Sequence, residues 1–165
     1  MPFHPEVDLV VARSELREVI DSVIGKLCSG AAPSEVERQR VDCKEEAGRR
    51  GRGGLLQPGQ AHNLAAATQL ADEVACFANT PEGGALIIGV EDRTGERLGT
   101  ALDAEWLRHR IYQAVDVAPL VEERTVDGVR LLVLLVAGAR EPVEDTADRL
   151  RWRVGSHCVP VDRSE

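Results

Sequence analysis

Six residues, Ala85-Leu-Ile-Ile-Gly-Val90, constrain this chain most. The run holds no polar position, so it lacks the alternation of a strand with one face in water. Gly83-Gly84 before it and Glu91-Asp-Arg-Thr-Gly95 after it are turn signals, which bound it as a strand rather than a helix. It predicts a central strand covered on both faces. A second signal lies downstream, where Val121–Val126 and Val129–Val136 flank Asp127-Gly128. That dipeptide adopts the positive φ angles of a tight hairpin turn, so the two runs predict an antiparallel pair.

Helices supply the cover. Leu9, Ala12, Leu16, Val19, Ile20, Val23, Ile24 and Leu27 recur at helical spacing over Glu6–Leu27, with charged residues on the other face. Cys28–Pro33 then breaks the pattern. This helix is either an appendage, packing on the domain or on another subunit, or a core helix of the same domain. Ser34 and Glu37 have the spacing of a capping box, leading through a turn of helix into a short strand at Val41–Glu45. A second helix is expected from about Ala61 to Ala78, with Leu64, Ala67, Ala71, Val74, Ala75 and Ala78 inward; Asn79–Gly84 stops it. Asp103 is an N-cap for a third helix, Ala104–Val117, closed by Pro119. Arg149–Val154 is expected as the last strand, with Gly155 as its exit. The order of elements predicts an α/β (α+β) domain with a mixed β-sheet, a late β-hairpin and packing helices. It divides into residues 1–33, helix and linker, and 34–165, the domain proper.

At 165 residues, with 43% hydrophobic and 29% charged, the chain has the composition of one globular domain. No apolar run approaches the roughly 20 residues of a membrane span, and MPFHPEVDLV is not a signal peptide. A cytoplasmic protein without membrane contact is therefore expected, and one that forms part of a longer polypeptide. Four cysteines, at 28, 43, 76 and 158, include no Cys-x-x-Cys. His157-Cys158 and Cys43 form a zinc set only if the fold gathers them, since no spacing announces one. Reduced, largely buried thiols are expected. The net charge of −8 argues against a broad basic face coating DNA and leaves room only for a local basic groove.

On a strand at Val41, Asp42 and Lys44 share one face and Val41 and Cys43 the other. A carboxylate and a lysine two residues apart suit a metal-dependent nuclease, the acid holding a hard cation and the lysine facing a phosphate; a solvated ion pair has the same spacing. Glu91-Asp92 ends the buried strand at the sheet rim, where ligands of α/β folds collect. Glu37, five residues before Asp42, can lean over that rim. Three such carboxylates suit Mg²⁺ or Mn²⁺, which take oxygen ligands. Each also has a plainer role: Glu37 in a capping box, Asp92 in a turn, Asp42 in an ion pair. The loop Gly48–Gly59 carries Arg49, Arg50 and Arg52 among glycines, as donors to a phosphate backbone or as a solvated cluster. Asn79, Thr80, Gly83 and Gly84 either present amides to a phosphate or end a helix. His109 and Tyr112 on the third helix face solvent or core. No Gly-x-x-x-x-Gly-Lys-Ser/Thr occurs, so nucleotide binding of the P-loop kind has no basis here.

In order along the chain stand Glu37-x-x-x-x-Asp42-Cys-Lys44, Ala75-Cys-Phe-Ala-Asn-Thr80 with Gly83-Gly84, Leu86-Ile-Ile-Gly-Val-Glu-Asp92, and Arg151-Trp-Arg-Val-Gly155. Over about Ser34–Asp162 this pattern resembles the Schlafen-type AlbA domain, a family of nucleic-acid-binding domains. Bacterial members precede winged-helix or other regions of regulators, and some vertebrate members cut tRNA and rRNA with a divalent metal. The resemblance implies a site of Glu37, Asp42 and Asp92 holding Mg²⁺ or Mn²⁺, with Lys44 beside it and Arg49, Arg50 and Arg52 on nucleic acid. Position 42 is Asp where the family more often has Glu, one methylene shorter, and Cys43 stands where an aromatic residue is commoner. The nuclease pattern uses two lobes, so a homodimer would supply the second. Three functions follow: a metal-dependent endoribonuclease on tRNA-like RNA, a noncatalytic DNA-binding regulatory domain of a larger transcriptional regulator, and a dimerisation or nucleotide-binding module.

Overall fold

The computed structural model describes residues 5–36 and 40–161. Its sheet runs β1 (Val41–Lys44), β2 (Gly84–Ile88), β4 (Val129–Val136), β3 (Leu120–Val126) across the fold. β1 and β2 are parallel, with Asp42 opposite Leu86; β2 and β4 are antiparallel, as are β3 and β4. This is the mixed sheet expected from the order of elements. Asp127 and Gly128 take φ of 51° and 78°, as the hairpin turn requires.

Alternation along the two central strands explains their unbroken apolar runs. Ala85 and Ile87 on β2, with Leu131, Val133 and Leu135 on β4, face one core together with Val41 and Cys43 of β1. Leu86 and Ile88, with Leu132, Leu134 and Val136, face the other. The first core is closed by helix α1 (Pro5–Cys28) through Leu16, Ile20, Val23 and Leu27. The second is closed by α3 (Leu64–Ala78) and α4 (Ala104–Val115) through Leu70, Val74, Phe77, Leu107 and Ile111. Each such side chain contributes about 1.5–3 kcal/mol by leaving water. The inner stripe of α1 thus shares a core with the sheet, as the core-helix alternative required.

Local chemistry moves several boundaries. α3 begins at Leu64 rather than Ala61 because Asn63 is its N-cap, its side chain accepting from the Ala66 amide. α4 is capped by Asp103 as expected, through the Trp106 amide, but stops at Val115 because Asp116 turns left-handed at φ 61°. In the short α2 (Pro33–Val36), Glu35 accepts from the Ala32 amide, so Ala32 precedes the helix and Ser34 lies inside it. Proline at the first helical position sets that start. Glu37, the other half of the expected box, lies outside the described residues.

Arg151–Val154 is strand β5, but it is not the last. Gly155 at φ 61° reverses the chain into β6 (His157–Pro160), which pairs antiparallel with β5 in a separate two-stranded sheet. The cysteine expectation also changes: Cys76 of α3 and Cys158 of β6 form a disulfide, and Cys28 is exposed. Spacing could not reveal this pair, which is 82 residues apart in sequence and brought within 6.2 Å between Cα atoms by the packing of β6 near α3. Cys158 is thereby withdrawn from any zinc set with Cys43. Among the described residues, no helix is long and apolar enough to cross a membrane.

Candidate functional site

β1 places its odd and even residues as alternation dictates. Val41 and Cys43 enter the α1-side core, while Asp42 and Lys44 project to the opposite face. There the Lys44 ammonium lies 3.2 Å from Asp42 Oδ2 and 3.9 Å from Glu73 Oε1 of α3. Asp42 is only 6% exposed and also lies 3.8 Å from Nη1 of Arg153, which is itself 2% exposed. Arg153 comes from β5, where its guanidinium stacks over the Phe77 ring and donates to the Val41 carbonyl; its backbone amide donates to Thr80 Oγ1. The expected Asp42–Lys44 pair is therefore one edge of a larger charge cluster drawn from β1, α3 and β5.

A cleft of about 460 Å³ opens beside this cluster. Asp42, Cys43 and Lys44 line it with Ser34 of α2, Asp92 after β2, and Ser156 and His157 of the β5–β6 turn. The two acids that follow β2 divide their work. Glu91 turns back to accept from the Arg93 and Thr94 amides and the Thr94 hydroxyl, which fixes the turn. Asp92 is left exposed toward the cleft.

The electrostatics follow from this crowding. Burial pushes the Asp92 carboxyl up; Lys44 pulls it down, but Glu45, Asp42 and Glu91 add repulsion, and the net direction is up. Glu73 is raised chiefly by burial, against the pull of Lys44. Lys44 is lowered by burial but raised further by Asp42 and Glu73, so its net shift is upward and it is charged at neutral pH.

The structure thus brings Asp42, Lys44 and Asp92 into one cleft, and Glu37 lies outside the described residues. Among the described residues no three metal-ligating side chains converge. Asp42 and Asp92 are two hard oxygen donors on one cleft, and Mg²⁺ is commonly held by one or two carboxylates with waters and a substrate phosphate completing its shell. The donor set fits that ion, not a protein-enclosed site.

The arginine loop is more committed than its sequence suggests. Arg49 donates to the Gln57 and Gly99 carbonyls. Arg50 forms a two-pronged pair with Glu45 and donates to the Gly54 carbonyl. Arg52 starts a short 3₁₀ turn, Arg52–Gly54, and is exposed. Asn79 and Thr80 act as structural ties: the Asn79 amide donates to the Val143 and Arg151 carbonyls, and Thr80 Oγ1 donates to the Cys76 carbonyl. His109 and Tyr112 are exposed on α4.

Glu73, Arg153 and His157 belong to the neighbourhood, though on sequence Glu73 has no role, Arg153 stands only within a motif, and His157 enters only a zinc set with Cys158 and Cys43. Glu73 carried a faint signal, an acid beside the apolar stripe of a helix otherwise meant for burial. Arg153 sat between Trp152 and Val154 in a strand, which marks one face of alternation but not its partner.

A model of the family described as Schlafen, AlbA_2 matches residues 37–162. The crystal structure of the DIP2311 protein from Corynebacterium diphtheriae is 52% identical over 92% of this chain, with a TM-score of 0.81. The chain spans 31% of the length of that structure. The solution structure of the N-terminal domain of a DNA helicase RecG-related protein from Nitrosomonas europaea shares the fold, with a TM-score of 0.50 and 20% identity. That likeness covers 87% of this chain and 95% of that one. No curated protein matches.

Proposed function

The chain belongs to the Schlafen AlbA_2 family, and from that premise we propose that it is a nucleic-acid-binding domain whose Asp42–Lys44–Asp92 cleft receives a phosphodiester backbone together with Mg²⁺ or Mn²⁺. The observation that carries this reading is the charge balance around Lys44. Asp42, Glu73 and Asp92 surround it, with Arg153 as the second cation. A polyanion entering such a cleft meets three carboxylates, and an accompanying divalent cation would offset their repulsion. Asp42 and Asp92 would hold that ion, with Glu37 as the further acid of the family pattern. Bound there, it would supply Lewis-acid polarisation of the phosphodiester.

This chain's own groups have separate tasks. Lys44 presents a fixed positive charge toward the entering phosphate, held in place by Asp42 and Glu73. Arg153 neutralises the buried side of Asp42 and positions its carboxylate. Of the three loop arginines, Arg52, exposed, is the one left for a flanking phosphate; Arg49 and Arg50 shape the loop that carries it. The catalytic form of this reading is endoribonuclease action on tRNA-like RNA. A noncatalytic DNA-binding role in a longer regulator is the second reading, and the name of the RecG-related neighbour, a DNA helicase relative, points the same way.

The test incubates the protein with tRNA, single-stranded DNA and duplex DNA, in Mn²⁺ or EDTA. Binding is followed by fluorescence anisotropy and cleavage on denaturing gels. Tighter binding with Mn²⁺, weakened at least about tenfold by Asp92→Asn, is expected, since loss of a group that tunes a metal typically costs about 10–100-fold. Asp92 is the better probe because Asp42 also ties Lys44 and Arg153 together. Cleavage of tRNA supports the nuclease form. Metal-independent binding that Asp92→Asn leaves unchanged would overturn the reading.

A further inference from the structure

We propose that Cys158 is a thiol–disulfide exchange site, and that opening the Cys76–Cys158 disulfide releases one wall of the Asp42–Lys44 cleft. Cys76 is 1% exposed on α3, whereas Cys158 on β6 is partly exposed. The two residues preceding Cys158, Ser156 and His157, line the same cleft as Asp42, Lys44 and Asp92. The disulfide is therefore a covalent tie between a cleft wall and the helix behind it. Glu73 joins the two features: one carboxylate oxygen lies 3.9 Å from Lys44 Nζ, the other 3.6 Å from Cys158 Sγ, a contact rather than a hydrogen bond while that sulfur is oxidised.

The hairpin's two strands are anchored differently. β5 is held without the disulfide, by Arg153 on Asp42 and the Val41 carbonyl, by the Arg153 amide on Thr80, and by Asn79 on the Arg151 carbonyl. β6 has its ladder with β5 and its bond to Cys76. A two-stranded ladder alone is marginal in water. Reduction thus leaves β5 in place and loosens the turn and β6, which carry Ser156 and His157.

The chemistry balances with a dithiol as reductant. Its thiolate attacks the accessible Cys158 Sγ, the Cys76–Cys158 bond breaks, and Cys76 leaves as a thiolate that takes a proton from solvent. The second thiolate of the reductant then attacks the mixed disulfide and releases Cys158 as a thiol. The dithiol ends as a disulfide, and two electrons have passed to the protein.

Peptide mapping without reductant, on protein prepared with no thiol present, is expected to yield a Cys76–Cys158 cross-linked peptide. Hydrogen exchange is then compared before and after dithiothreitol. Amides 155–159 are expected to exchange at least tenfold faster after reduction, with β2 and β4 unchanged, and Cys158 to alkylate before Cys76. Cys158→Ser should show the fast exchange with or without dithiothreitol. Absence of the cross-linked peptide overturns the proposal. So does unchanged exchange at 155–159, a rise that spreads to β2 and β4, alkylation of Cys76 first, or a dithiothreitol response in Cys158→Ser. None of these readouts depends on nucleic acid, so they stand or fall apart from the function proposed above.

Discussion

Glu46 shows how a single acid can hold a loop in register. Its carboxylate accepts from Thr100 Oγ1 at 2.7 Å, Asn63 Nδ2 at 2.9 Å, and the Gln60 and Ala101 amides at 3.0 Å each. One residue thus ties both the end of the arginine loop and the start of α3 to the segment before α4. Burial alone would raise its carboxyl; the four hydrogen bonds outweigh burial and hold it below the ordinary value. A depressed carboxylate contributes stability above its unfolded pKa of about 4.3 and loses it as pH falls through the lower folded value. Glu46→Ala strands the buried donors of Asn63 and Thr100 and is expected to cost about 2–3 kcal/mol, read as a lower midpoint in urea at pH 7. Below about pH 4 the gap between variant and wild type should narrow, because the wild type then loses the same interaction. The sequence concealed this residue: Lys44-Glu45-Glu46 presents two adjacent acids, and only the fold sends Glu45 to Arg50 on the surface and Glu46 inward. Asp42 and Lys44 were legible, because strand alternation fixes their common face without knowledge of what packs there.

Among the elements, α1 is the one whose standing the sequence left open. Of the inner residues that periodicity names, Leu16, Ile20, Val23 and Leu27 are buried in one core with Ile87, Val133 and Leu135, and Val19 and Ile24 pack partly buried against it; the side chains of Leu9 and Ala12 lie outside the described ones. Sequence cannot say which apolar surface receives an amphipathic stripe, so appendage and core helix looked alike. The packing supplies a prediction: Ile20→Ala should destabilise the domain by about 3 kcal/mol, a cavity cost in the middle of the range for such truncations. Deleting residues 1–28 should leave a chain that does not fold cooperatively, because one whole face of β2 and β4 would meet water. Urea titration followed by far-UV circular dichroism checks both, and an unchanged midpoint in Ile20→Ala would show that α1 is an appendage. The hairpin β3–β4 was readable to within one residue, β3 starting at Leu120 rather than Val121, since Asp127-Gly128 leaves little choice of turn. β6 was not: His157-Cys-Val-Pro160 is short, half-exposed and ends in proline, and only its ladder with β5 and its bond to Cys76 define it.

At the scale of the whole molecule, a net charge of −8 and an isoelectric point near 5.1 limit how this domain can meet a polyanion. Proteins that coat DNA release many counterions, and their affinity falls steeply with salt. Among the described residues several arginines are spent internally: Arg17 on Glu122, Arg49 on carbonyls, Arg50 on Glu45, Arg124 on Asp21 and Arg130 on Glu123. In the proposed site, Lys44 in the cleft and exposed Arg52 on the loop are the cations assigned to phosphate. Two phosphate contacts correspond to a slope of about −1.8 in a plot of log affinity against log salt for duplex DNA, and about −1.4 for a single strand. Anisotropy titrations from 50 to 200 mM KCl at fixed Mn²⁺ are therefore expected to show only a gentle decline in affinity. Arg52→Ala should make the slope shallower by nearly one unit. A slope of −6 or steeper would place binding on a broad basic face that the ion pairing of these arginines does not provide, and the cleft would lose its claim as the point of contact.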